Sequence, residues 1–84
     1  MELHEKIDTI ATNKDLSAFV EALRADLLAN PDDWENVTLE RFLEAMAAWV
    51  YSIENVYKNT GRELPCQPSW KTMAEVLYAA KMYE

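Results

Sequence analysis

The chain contains very few of the residues that build disulfides, metal sites or phosphate-binding loops. Its 84 residues include one cysteine, one histidine, one glycine and three prolines. The single Cys66 excludes an internal disulfide, and one histidine with one cysteine falls short of the about four nitrogen or sulfur ligands of a closed zinc site. A loop that cradles phosphate needs several glycines. We therefore expect neither a metal nor a cofactor.

The sequence also lacks a long apolar run and an excess of positive charge. No N-terminal apolar segment follows basic residues, so we expect neither a signal peptide nor a membrane span, and the cytoplasm is the expected compartment. Fifteen acidic residues against eight Lys and Arg give a net charge of −7. This charge argues against binding to nucleic-acid phosphates and favours a basic partner.

Apolar residues recur with helical spacing in four segments, and the length fits a single domain over residues 1–84,. The pattern predicts the all-α class, as a compact four-helix domain with mostly antiparallel neighbours. The first helix is short, and the long third helix is expected to be central and to pack against the other three. The predicted stripes are Leu3, Ile7 and Ile10; Leu16, Phe19, Val20, Leu23 and Leu27; Leu39, Phe42, Leu43, Met46, Val50, Ile53 and Tyr57; and Trp70, Met73, Val76, Leu77 and Ala80.

The ends of these helices coincide with capping residues, prolines and the glycine. Proline lacks a backbone donor and glycine tolerates a left-handed conformation, so both stop helices, whereas Ser, Thr and Asn cap their starts. The predicted boundaries are a Thr12 and Asp15 capping box, an end near Ala29 before Pro31, a cap at Asn36 or Thr38, an end at Gly61, an ordered loop over 62–68 and a cap at Ser69.

Negative charge is concentrated around the turn between the second and third helices. Between Asp26 and Glu44, six carboxylates against Arg41 carry five of the seven net negative charges. Glu40, Glu44 and Tyr51 share an arc roughly opposite the apolar stripe, so Tyr51 is expected to be exposed among acids that complement an Arg- or Lys-rich protein. The predicted partner-binding residues are Asp32, Asp33, Glu35, Glu40, Glu44 and Tyr51.

A plain structural explanation of these residues stays open, in which the acids are only the solvated side of a helix. An enzyme is not expected. The Glu40 and Glu44 pair lies on a face without the burial that a general acid needs, and the acidic turn lacks the spacing of a calcium loop. Nothing in the sequence brings His4 to Cys66 as base and nucleophile, and Cys66 is interpreted as a half-buried loop residue.

The three tryptophans are interpreted mainly as core residues. Trp34 precedes the third helix and either covers the core or projects as an anchor for a partner, with core packing favoured. Trp49 and Trp70 lie on or beside apolar stripes and are assigned to the core.

Two segments carry a resemblance to known proteins. They are W-E-N-x-T-L-x-x-F-L-E-A at 34–45, followed by Trp49, and the C-terminal run from Trp70 to Glu84 that ends A-A-x-x-Y-E. From about Phe19 to its end the chain resembles a family of short uncharacterised bacterial proteins in which a W-E-N-x-T-L helix start and this ending recur. The family has no assigned reaction, so the resemblance implies no catalytic residues. The first fifteen residues depart most from its pattern.

Two functions remain as hypotheses. The first is a non-enzymatic, acidic protein-binding domain, such as an immunity protein or inhibitor that covers a basic bacterial toxin with the segment from Asp32 to Tyr51. The alternative is an adaptor, phage-derived regulator or oligomeric accessory subunit that uses an apolar surface patch. Exposure of Trp34, Tyr78 and Tyr83 in one patch would favour the alternative. The oligomeric state is left open.

Overall fold

The computed structural model describes residues 2–64 and 67–83, and over these ranges the chain is helical without a β-strand. This confirms the predicted all-α class. Among the residues described, no helix is both long and apolar enough to cross a membrane. The helices are α1 (Leu3–Ile7), α2 (Asn13–Ala29), α3 (Leu39–Tyr51), α4 (Ile53–Asn59) and α5 (Trp70–Met82), with a 3-10 turn at Pro31–Asp33.

Local capping sets most of the helix boundaries, as the sequence predicts. The Thr12 hydroxyl accepts a hydrogen bond from the Asp15 backbone N–H at 3.1 Å, and the Asp15 carboxylate accepts from the Thr12 N–H at 3.2 Å. Thr38, and not Asn36, caps α3 by accepting from the Arg41 N–H at 3.3 Å. Asn36 is buried and has a different role, described below.

The caps of the last two helices also match the prediction. Gly61 follows α4 with a φ of +71°, the left-handed conformation that glycine adopts without strain,. Ser69 caps α5 by accepting from the Thr72 N–H at 3.1 Å. Of the predicted 62–68 loop, residues 65 and 66 lie outside the described ranges, and so does the interpretation of Cys66.

The predicted third helix is interrupted at Ser52, which separates α3 from α4. Tyr57 follows Leu39 by 18 residues, or about five turns, so one straight helix would point both side chains the same way. Leu39 is 71% exposed, whereas Tyr57 is 4% exposed and packs with Trp49 and Val76. The interruption at Ser52 therefore turns Tyr57 into the core.

The central position belongs to α5 rather than to the third helix. The backbone of α5 lies close to those of α1, α2 and α3, whereas the backbone of α3 lies close to those of α5 and α4 and further from that of α2. The prediction that the third helix packs against the other three is wrong in this respect. Small side chains explain the arrangement, because Ala74 and Ala80 of α5 are fully buried and let neighbouring helices approach closely,.

Two apolar clusters form the core on either side of α5. The larger contains Ile7, Ile10, Phe19, Leu23, Trp34 and Ala74, and the smaller contains Trp49, Tyr57 and Val76. The predicted stripes are wider than the faces that this core covers. The predicted core residues that lie substantially exposed are Val20 at 42%, Leu39 at 71%, Leu43 at 51%, Val50 at 44%, Trp70 at 47% and Met73 at 43%.

Candidate functional site

Trp34 is a core residue that closes the base of the turn between α2 and α3. Its side chain is 8% exposed, and its ring stacks on Phe42 with centroids 6.2 Å apart. The indole N–H donates to Asp26 Oδ2 at 2.8 Å. The favoured core interpretation of Trp34 is confirmed, so this residue does not project as an anchor.

Asn36 caps the C-terminal end of α5 from 44 residues upstream in the chain. Its side-chain amide donates to the carbonyl of Ala80 at 3.0 Å and to that of Tyr83 at 2.7 Å, and its backbone N–H donates to the Lys81 carbonyl at 3.1 Å. The last carbonyls of a helix have no partner inside the helix. Asn36 supplies one and attaches the chain end to the turn.

Asp26 lies at the centre of a partly buried polar cluster. Lys81 Nζ donates to Asp26 Oδ2 at 2.9 Å, and the side chains of Trp34 and Asn30 donate to the same carboxylate. These donors, Lys81 foremost, hold the pKa of Asp26 below its ordinary value against the opposing effect of burial. These hydrogen bonds connect α2, the turn before α3 and the last turn of α5.

The six predicted partner-binding residues are all exposed. Asp33 lines a depression shared with α1 and α2, on the side of His4 and Tyr78. Glu35 and Glu44 line a different, shallow depression next to Tyr83. Acidic residues of this region therefore border two different depressions.

Glu40, Glu44 and Tyr51 form a ridge along the outer side of α3. On a helical wheel they fall roughly 100° to 140° from Leu39, and Tyr51 is 92% exposed. The sequence prediction that Tyr51 is exposed is confirmed. Its role in binding stays a prediction, as do the roles of the five acids.

A second ridge on α3, apolar and exposed, lies directly beside the acidic ridge. It consists of Leu39, Leu43 and Val50, which fall within about 40° of one another on the wheel and are 71%, 51% and 44% exposed. The buried face of α3, with Ala45 and Trp49, lies on the side of the apolar ridge that is away from the acidic ridge,. Sequence periodicity identified these residues but assigned them to the core.

The apolar ridge borders an open groove above α5. The groove has a volume of about 320 Å³ and lies between α2 and α3. Its walls include Leu27 of α2 and Leu39 and Phe42 of α3, and Leu77 of α5 lies in its floor. We call this space the α2–α3 groove. It is almost entirely apolar, which distinguishes it from the polar depression beside Asp26 and Lys81.

A further apolar depression of about 400 Å³ continues in the direction of the α4–α5 loop. It is lined by Met46 and Val50 of α3 and by Met73 of α5, each within about one or two turns of a residue of the α2–α3 groove,. The two spaces therefore lie end to end along the same pair of helices.

The sequence predicts neither a metal site nor a catalytic site. Among residues 2–64 and 67–83, no group of three His, Cys, Asp or Glu side chains is arranged to hold a metal ion. His4 is exposed on α1, with its ring 6.5 Å from that of Tyr78. Tyr78 and Tyr83 are each only partly exposed, and Trp34 is buried. These three aromatics do not form the patch that would identify an adaptor. The apolar ridge of α3 is a different exposed apolar surface.

Fold and surface together define a small helical domain with an acidic ridge and an apolar ridge side by side. The sequence pattern of the family described as "Family of unknown function (DUF7660)" matches residues 12–84. The chain belongs to this family, which confirms the expected membership of an uncharacterised family. No curated protein and no solved structure matches the chain.

Proposed function

We propose that this protein is a non-enzymatic binding domain that holds a basic protein partner against the outer surface of α3. The observation that carries the proposal is the adjacency of Glu40 and Glu44 to the exposed Leu39 and Leu43 on a single helix. Apolar contact supplies most of the affinity at such a surface, while carboxylates at its edge select a basic partner and accelerate encounter. The net charge of −7 acts in the same direction.

The proposed biological role is inhibition, in the manner of an immunity protein that masks the basic active surface of a bacterial toxin. A standard interface buries about 800 Å² on each partner, which is a small part of the total accessible surface of 5967 Å². The proposal places this complex in the cytoplasm.

The alternative proposal, an adaptor or accessory subunit, gains support from the exposure of Leu39, Leu43 and Val50. Both proposals use the same surface and differ in what happens to the partner. An inhibitor abolishes the activity of the bound protein, whereas an adaptor leaves it active. A growth assay in cells that express the partner separates them, because only inhibition rescues cells from a toxic partner.

The binding test uses the full chain to isolate a partner from its source cells, after which the partner is purified and its association rate is measured. We expect a basic partner whose association slows with added salt, since salt screens exposed charges. Glu40→Lys with Glu44→Lys should slow association at least tenfold. Glu54→Lys with Glu63→Lys is the matched control, because it changes the net charge equally at other exposed positions. Equal effects of the two double variants would remove the acidic ridge from the proposal.

A further inference from the structure

The α2–α3 groove has the form of a helix-packing site from which one helix is missing. Helix α5 packs against α2 on one side and against α3 on the other, but no Cα atom of α2 lies within 8 Å of one of α3. Leu77 of α5 lines the groove between them, and Met73 of α5 lines the adjoining depression next to α3. In a bundle, such a gap above a central helix is normally filled by another helix.

The dimensions of the gap suit a short helix. The residues of α3 that line the groove and the adjoining depression run from Leu39 to Val50, so this apolar surface is about 16 Å long and accommodates about three turns of a helix laid along it. The α3 residues that line the groove and the adjoining depression, Leu39, Phe42, Met46 and Val50, recur at the turn spacing of the helix,. Side chains of a docked helix at i, i+3, i+4 and i+7 would meet the apolar ridge and the two depressions next to it.

The accessible surface of the chain is larger than its size requires. A compact monomer of 9.7 kDa exposes roughly 5,100 Å² by the usual scaling with mass, whereas this chain exposes 5967 Å². Exposed apolar side chains contribute to this surface. Of the large apolar side chains with substantial exposure, Val20, Val37 and Leu39 line the groove itself.

The charges along the two edges of the groove are unequal. On the α2 edge, Arg24 pairs with Glu21 at 3.5 Å, which leaves that edge close to neutral. On the α3 edge, the exposed Glu40 follows Leu39 in the chain, whereas Glu44 lines the separate depression beside Tyr83 together with Arg41. A second copy of this chain would bring its own net charge of −7 and its own Glu40 to this edge, so charge disfavours self-association there.

We propose that the α2–α3 groove binds an amphipathic helix of the basic partner, with its apolar side on α5 and a row of Lys or Arg along the α3 edge. This inference rests on the proposed function and specifies which part of the partner is recognised. The flank of the bound helix that faces Arg24 and Glu21 carries little net charge, because that edge is already paired. The two flanks of the partner helix therefore differ, and this difference fixes its direction in the groove.

The test is a selection from a displayed library of random 18-residue peptides against the intact protein. We expect enriched peptides with apolar residues at i, i+3, i+4 and i+7 and basic residues on one flank. Leu39→Gln should weaken their binding at least fivefold, because Leu39 borders the groove. Leu28→Gln is the matched control: Leu28 is also 71% exposed but does not line the groove, so its replacement should change binding less than twofold.

Each result of the selection decides one question. Enriched peptides without helical periodicity, no enrichment, or equal binding to the Leu39 and Leu28 variants would overturn the helix proposal. If Glu40→Lys with Glu44→Lys weakens binding and Leu39→Gln does not, the acidic ridge binds a partner and the groove does not. The reverse result keeps the groove and rejects a basic partner. Sedimentation should show a monomer; a dimer that Leu39→Gln dissociates would assign the groove to a second copy.

Discussion

Lys81 and Asp26 form an ion pair across 55 residues of chain, with Lys81 Nζ 2.9 Å from Asp26 Oδ2. The lysine side chain is 9% exposed and the aspartate side chain 22% exposed. The lysine also lies over the aromatic rings of Trp34 and Tyr78, at 5.4 and 5.8 Å from their centroids. The pair joins α2 to the last turn of α5 and orients the turn that leads into α3.

Lys81→Met should lower the free energy of unfolding by about 2 kcal/mol, because it removes the cation from a shielded carboxylate. Asp26→Asn should cost a similar amount, since it leaves the buried ammonium without its counter-charge. The double variant should lose less than the sum of the two, as expected for residues in direct contact. Denaturant unfolding of the four proteins measures this coupling, and strictly additive losses would contradict the pairing.

Acid should destabilise the protein through Asp26. Its pKa is lowered from an ordinary value of about 3.8 in the folded state, so its contribution is present above that value and is lost as the pH falls through the folded pKa. Asp26→Asn should flatten the fall in stability below about pH 4. Asp32→Asn, a change at an exposed position of the 3-10 turn, serves as control. If the stability of Asp26→Asn falls at low pH as steeply as that of the parent protein, this assignment is wrong.

Asn36→Ala should loosen the end of α5. The side chain donates to the Ala80 and Tyr83 carbonyls, and loss of two buried hydrogen bonds costs about 2 kcal/mol. Amide exchange should rise in the final turn of α5, whose carbonyls lose their cap, and much less in α2. Asn55→Ala, at an exposed position of α4, should change neither quantity appreciably. Equal exchange in both variants would show that Asn36 does not hold this end.

Tyr57→Phe tests the contact between α4 and α5. The Tyr57 hydroxyl donates to Glu75 Oε1 at 3.1 Å, and its removal should cost about 1 kcal/mol near neutral pH. Burial, and then the charge of Glu75, raises the pKa of Tyr57 above its ordinary value of about 10.0. The stability that depends on the neutral phenol is therefore present below that pH and is lost as the pH rises through the folded pKa.

The phenylalanine variant should consequently lose less stability above about pH 10 than the parent protein does. Tyr51→Phe is the control, because Tyr51 is 92% exposed. Thermal unfolding at neutral and alkaline pH distinguishes the three proteins. A parallel alkaline loss in Tyr57→Phe and the parent would contradict the assignment.

The helices and most of their ends follow from local sequence, because capping is local chemistry. Thr12, Thr38 and Ser69 act on N–H groups three residues away, and Gly61 needs no tertiary contact to take a positive φ. The interruption at Ser52 was not predictable in the same way. The interruption accompanies the burial of Tyr57 against Trp49 and Val76. This packing is tertiary, so local sequence does not predict it.

Periodicity also identified the apolar residues of α3 without showing which of them are covered. The predicted stripe includes both Leu39 and Phe42 because both are apolar. Only Phe42 packs against the larger core cluster, because burial depends on where α5 lies. The small, fully buried side chains Ala74 and Ala80 let the other helices pack closely on α5. Two alanines are only a weak signal of this packing in a single sequence. The sequence predicts Asn36 or Thr38 as the N-cap of α3, but the side chain of Asn36 instead donates to carbonyls 44 and 47 residues away.

The position of Trp34 gives the protein an intrinsic optical reporter. Its ring lines the α2–α3 groove, while its N–H and face meet Asp26 and Lys81. Indole emission responds to nearby charge and to water, so a ligand in the groove should shift the fluorescence of Trp34 without any label. Subtracting the spectrum of Trp34→Phe isolates this signal from those of Trp49 and Trp70, and a titration then reads occupancy directly.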